Sequence, residues 1–156
     1  MNHDILNPFT QEFWVRLAVT IFCGGIIGLE RQLRGKPAGI RTSILICLGT
    51  ETFVSLGIYL SPNTPDPSRV LAQVITGIGF IGAGVIMGKK NIVKGVTSAA
   101  IIWVLAAIGA SIGIGLLATA VAITLVAVAV LLGVEFLESC FLKLRRGAHA
   151  DYNSPD

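Results

Sequence analysis

The chain has 156 residues, of which 53% are hydrophobic and 13% charged, with a mean hydropathy of +0.77 and a formal charge of +3. Soluble domains carry about 25% charged residues, so this composition excludes an ordinary soluble globule and places the chain in a membrane. The positive charge does not call for a nucleic-acid partner, because the basic residues cluster in short loops between apolar runs, where they set orientation in a lipid bilayer.

A hydrocarbon core of roughly 30 Å takes roughly 20 apolar residues as a helix. Residues 1–12 read as a periplasmic N-terminus. The apolar run that follows has no basic segment before it and no small-residue cleavage pattern after it, so it reads as a retained span rather than a signal. That first span covers residues 13–29, with Trp14 placed for the interfacial belt and Arg16 near enough to the edge to snorkel to the headgroups. Residues 42–60 make a second span and the charge-free residues 70–88 a third, separated by "SPNTPDP" (61–67), which cannot continue a helix. No side chain from 97 to 134 is charged. As one helix that run would be roughly 57 Å long, so it divides into spans at about 97–112 and 116–138. The glycine-rich "GASIGIG" (109–115) supplies the reversal. A broken or re-entrant fourth segment is the competing topology. Residues 140–156 read as a short cytoplasmic tail, and residues 13–139 as the one transmembrane domain.

The loops sort by charge. Arg31, Arg34, Lys36 and Arg41 lie between spans one and two, Lys89, Lys90 and Lys94 between three and four, and Lys143, Arg145 and Arg146 after span five. These are alternate connections, hence one side of the membrane, and only Arg16 and Arg69 lie elsewhere. The positive-inside rule then gives an all-α, five-helix bundle with its N-terminus periplasmic and its C-terminus cytoplasmic. Cys23, Cys47 and Cys140 form no disulfide or metal-ligand spacing and read as small apolar residues.

Gly77-x-Gly79-x-x-Gly82 matches the dinucleotide fingerprint as a string, yet no acid follows at the required distance and the glycines sit inside an apolar span. Helix packing explains them better. Gly24 and Gly28, Gly84 and Gly88, and Gly109 and Gly113 are each four residues apart, a spacing that lets helices approach closely. Glycine carbonyls lining an ion path is the sharper alternative.

Two polar groups stand out. Glu30, Arg31, Arg41 and Thr42 flank the first cytoplasmic loop, where charges at two helix ends are expected to pair and fix the loop, or to offer Glu30 oxygen to a hard cation at the cytoplasmic mouth. Glu51 falls midway along the second span, where an ionised acid costs on the order of 2.5–3.5 kcal/mol on insertion scales. It is tolerated if protonated or if it faces a polar pocket or partner. With Thr50 and Thr52 beside it, and Thr76 of span three at a similar depth, it forms a candidate ion or proton site. The alternative is a structural hydrogen bond across a helix contact. No nucleophile–base pair suggests an enzyme, and no cofactor is expected.

Three blocks, "GLERQLRGKPAGIRT" (28–42), "GIGFIGAGVI" (77–86) and "VKGVTSAAIIWVLAAIG" (93–109), resemble the signature blocks of the MgtC/SapB family of bacterial membrane proteins in order and spacing. The resemblance implies a multi-pass inner-membrane protein tied to magnesium homeostasis and growth at low Mg²⁺. Its motif positions here are Gly28, Glu30, Arg31, Gly39, Arg41, Thr42, Gly77, Gly79, Gly82, Gly84, Gly95, Thr97 and Trp103. It implies either a transporter of Mg²⁺ or another cation, or a regulator that binds other membrane machinery such as ATP synthase. Longer relatives carry an ACT-like cytoplasmic domain beyond the segment matched here, and have a small residue where this chain has Glu51. Mg²⁺ is held by one or two carboxylates with waters, so a homodimer presenting two copies of Glu51 is the form such a site would take.

Overall fold

A computed structural model of the chain describes residues 6–60, 67–89 and 92–140. Its elements are α1 (Gln11–Leu33), α2 (Ile40–Leu60), α3 (Pro67–Gly84), β1 (Met87–Lys89), β2 (Ile92–Lys94), α4 (Val96–Gly113) and α5 (Leu117–Cys140). The helices follow from the apolar runs, because in lipid each backbone N–H and C=O must find its partner inside its own segment. α1, α2, α4 and the Leu117–Val134 part of α5 are long and apolar enough to cross a membrane, and Ser68–Gly84 of α3 is a shorter apolar helix.

Glycine sets two of the reversals. α1 ends at a Schellman motif, in which Gly35 (φ 61°) donates its N–H to the Gln32 carbonyl and Lys36 donates to Arg31. α4 ends the same way, with Gly115 (φ 89°) donating to Ile112 and Leu116 donating to Ser111. The tight α4–α5 turn thus falls within the stretch that the glycines marked, and α4 is one continuous helix rather than a broken one.

The third span differs from its expected extent of 70–88. α3 stops at Gly84, and the chain turns through Val85 into an antiparallel hairpin that pairs Met87 with Lys94, Gly88 with Val93 and Lys89 with Ile92. Gly95 (φ 94°) lies so close to the Val85 carbonyl that no β-carbon fits, which ties the hairpin back to the end of α3. At about 1.5 Å per residue, the 17 residues from Ser68 to Gly84 reach only about 26 Å.

α4 is the central helix, with 56% of its span buried, against 17% for the span in α5. It packs on α2, α3 and α5, while α1 packs chiefly on α2. The core joins Cys23 and Ile27 of α1, Ile46 and Cys47 of α2, and Ile102, Leu105, Ile108 and Ile112 of α4. The α1–α2 and hairpin connections share one end of the bundle, and the start of α1 shares the other end with the α4–α5 turn. The loop bearing residues 61–66, Lys90, and the tail with Lys143, Arg145 and Arg146 lie outside the described residues.

Candidate functional site

At the α4–α5 end, Arg16 is only 6% exposed. Its guanidinium pairs with Glu12 at 2.7 Å and donates to the carbonyls of Gly113 at 3.3 Å and Ile112 at 3.5 Å. A helix leaves its last carbonyls unpaired and negative, so a cation there both hydrogen-bonds them and opposes the dipole. Arg16 therefore caps α4 rather than snorkelling to the headgroups, as its place near a span edge had suggested.

The same carbonyl leads to Glu51. The Ser55 hydroxyl lies 3.3 Å from the Gly113 oxygen and 3.0 Å from Oε1 of Glu51, whose Oε2 accepts from Thr52 at 3.3 Å. One polar network thus runs from Glu12 through Arg16, Gly113 and Ser55 to Glu51, joining α1, α4 and α2. The half-buried carboxylate turns toward this network within the chain. The other proposed partners disperse. Thr50 is buried against Gly109 of α4, and exposed Thr76 donates back to the Ala72 carbonyl of its own helix at 2.9 Å rather than turning to Glu51.

At the opposite end the expected pairing is rearranged. Glu30, 8% exposed, lies 2.6 Å from Nε of Arg34 on its own helix. Neither of its carboxylate oxygens has an aligned hydrogen bond among the described residues, so the contact is an ion pair without hydrogen-bond direction. Buried Arg31 donates to Ser98 Oγ at 2.6 Å and reaches the Pro37 carbonyl at 3.5 Å, clasping the end of α1 to the first turn of α4. Arg41 and Thr42 are exposed at the start of α2 and do not join Glu30, because the 34–39 connection places Pro37, not Arg41, against Arg31. No cluster of three or more His, Cys, Asp or Glu gathers among the described residues.

Sequence reasoning missed Ser55, Arg34 and Ser98. The first two were legible as partners one helical turn from Glu51 and Glu30. Ser98, 67 positions from Arg31, carried no local signal.

The glycines divide into two sets. A β-carbon on Gly28 would lie 2.6 Å from Ile40 Cα, and one on Gly24 would lie 2.9 Å from Ile44 Cα. On α4, a β-carbon on Gly109 would strike the Cys47 carbonyl, and one on Gly113 would come within 2.9 Å of the Glu51 carbonyl. These four weld α1 and α4 to α2. A β-carbon on Gly82 would meet Ala99 at ordinary distance, whereas one on Gly77, Gly79, Gly84 or Gly88 would meet no described residue within 4 Å. Among the described residues they make no close helix contact of the kind expected: Gly84 ends α3, Gly88 lies in β1, and Gly77 and Gly79 are exposed on α3.

Beside α3 the surface is concave. An apolar groove of about 660 Å³ runs between α3 and α4, lined by Leu71, Ile75, Trp103, Ala107, Ala110 and Ser111 among others. A second, of about 700 Å³, separates α3 from α2.

Residues 17–140 match the model of the MgtC family. The chain is 47% identical over 114 residues to the "Putative magnesium transporter YhiD" of Escherichia coli (strain K12), covering 69% of this chain and 53% of that protein. It is 42% identical over 146 residues to "Protein MgtC" of Brucella abortus (strain 2308), covering 86% and 60% respectively. To "Protein MgtC" of Salmonella typhimurium (strain 14028s / SGSC 2262) it is 39% identical over 112 residues, covering 72% and 48%. The chain thus spans about half the length of the curated relatives it matches. No solved structure matches it. With four helices able to cross a bilayer and a family match over most of its length, this chain is a multi-pass membrane protein that belongs to the MgtC family.

Proposed function

We propose that the chain serves magnesium homeostasis in the bacterial inner membrane as a regulator, receiving a transmembrane helix of another membrane protein in the groove between α3 and α4. The name of the Escherichia coli relative supplies the link to magnesium. The groove supplies the mode. Small side chains on α4 (Ala106, Ala107, Ala110 and Ser111) floor it, and Trp103 stands exposed along it. Small residues let a second helix approach closely, which is how helices associate where lipid removes the hydrophobic driving force. Trp103 adds a large aromatic contact of the kind that anchors interfaces. The basic residues Arg31, Arg34, Lys36, Arg41 and Lys94 gather at the hairpin end, which the positive-inside rule places in the cytoplasm.

Ala107 is exposed on the floor of this groove, so Ala107→Phe fills it from the lipid side. In a strain lacking the native protein, the variant is expected to accumulate at the wild-type level and to fail to restore growth at low Mg²⁺. Full restoration would rule out the groove as the working surface.

A second reading has its own observation. Glu51, Ser55 and the Gly113 carbonyl bring several oxygens together in the bundle, which favours passage or sensing of a cation there.

A further inference from the structure

α2 and α3 touch at one end and part toward the other. Near the end of α2, a β-carbon on Gly57 would strike the Val70 side chain of α3, so the helices meet there. Toward the hairpin end, β-carbons on Gly49 and Gly77, which line the groove between the two helices, would meet no described residue within 4 Å. The groove of about 700 Å³ is therefore a wedge, closed where Val70 meets Gly57 and reaching exposed Thr42 at its wide end. Apart from Thr42, Thr50 and Gln73, its lining is apolar. From Thr42 to Phe53 its α2 wall runs about 17 Å, at about 1.5 Å per residue. A hydrocarbon core is roughly 30 Å thick, so the wedge is about one leaflet deep.

Arg41, Leu45, Gly49 and Phe53 are four apart along α2 and form one row, of which the last three line the wedge. Arg41 heads that row at the wide end. It is exposed and makes no hydrogen bond or ion pair among the described residues. The Thr42 hydroxyl beside it likewise has no partner among the described residues. Lys36 and Lys94 stand exposed at the same end, where the exposed charged side chains among the described residues are all basic.

We infer that the wedge seats an anionic phospholipid, with one acyl chain between α2 and α3 and the phosphate at Arg41. Shape selects the class of occupant. A transmembrane helix needs the full bilayer thickness, and here it would be stopped short where Val70 meets Gly57. An acyl chain is narrow, enters from one leaflet and ends within it. Leu45, Ile46, Val74 and Ile78 offer it apolar contact, and the missing β-carbons of Gly49 and Gly77 give it width. Lipid tails are as apolar as the groove, so dispersion contact and headgroup charge are what hold one lipid over another. Charge selects the headgroup. Arg41 can donate two parallel hydrogen bonds to a phosphate, and Thr42 adds a hydroxyl donor. The basic surface around them favours a headgroup of net negative charge over one whose ammonium cancels its phosphate. The wedge is distinct from the groove between α3 and α4, so the inference does not depend on what that groove receives.

The test reads what a light-activated group in the wedge captures from native membranes. Benzoyl-phenylalanine replaces Leu45, 64% exposed and lining the wedge, and in a control it replaces Leu125 of α5, 61% exposed. Adducts on the full chain are identified by mass. The ratio of anionic to zwitterionic phospholipid adducts is expected to be about 3- to 10-fold higher at position 45 than at 125. Arg41→Gln is expected to bring the ratio at 45 down to that at 125. Gly77→Leu fills the wedge and is expected to remove lipid adducts at 45 while leaving those at 125 unchanged, which shows that the chain still folds and inserts. A ratio no higher at 45 than at 125, or one indifferent to Arg41→Gln, would overturn the proposal. So would products at 45 that hold a second copy or another protein instead of lipid, or no lipid adduct there at all.

Discussion

Arg16 and Arg31 are buried cations at the two ends of α1, and each reaches across to α4. Arg16 meets the last carbonyls of that helix and Arg31 its first turn, so α1 holds α4 at both termini. A hydrogen bond involving a charged group contributes about 1.5–3 kcal/mol, and Arg16 makes its contacts largely out of water. Arg16→Ala is therefore expected to lower stability in detergent by about 2–3 kcal/mol, read as an earlier thermal unfolding transition. Arg16→Lys should recover only part of this, since a single ammonium cannot fork between Glu12 and two carbonyls. Equal unfolding temperatures for Arg16→Ala and the wild type would remove the capping role. Local spacing made Glu30–Arg34 and Glu51–Ser55 legible, because both pairs are one turn apart on a helix. Arg16–Gly113 and Arg31–Ser98 were not legible. Each joins residues separated by more than 60 positions, and only the packing of α1 beside α4 brings them together.

At the scale of elements, α2 is the surface on which α1 and α4 are welded, through Gly24 and Gly28 on one side and Gly109 and Gly113 on the other. The four-residue spacing announced all of these, yet the same spacing also announced Gly84 and Gly88, where a β-carbon would meet no described residue within 4 Å. Spacing reveals a face fit for close approach without revealing what approaches it. Substitution separates the two classes by sign. Gly28→Ala forces a β-carbon against the Ile40 backbone and is expected to destabilise by about 1–3 kcal/mol. Gly79→Ala, in open space within α3, is expected to stabilise by up to about 1 kcal/mol through helix propensity. Unfolding curves of the two variants side by side check both signs. The five helices were readable because long apolar runs end at glycine, proline and charge. The end of α3 was not, since "VIMG" continues the apolar run while the backbone has already turned toward the hairpin.

At the scale of the molecule, α1, α2 and α4 and their glycine contacts make a closed unit, with α5 against α1 and α4, and α3 against α4 and α2 with a groove on either side. The closed unit uses its polar side chains on itself: Glu12, Arg16, Ser55 and Glu51 form one network, and Arg31 and Ser98 another. The open side is apolar and small-featured, which suits it to receiving helices. The proposed mode of action is docking, with Glu51 as an internal pin. Magnesium entry into liposomes that contain the purified chain and no other protein measures this most directly. Entry is expected to be no faster than into protein-free liposomes, with the same result for Glu51→Gln. Saturable Mg²⁺ entry that Glu51→Gln abolishes would contradict it.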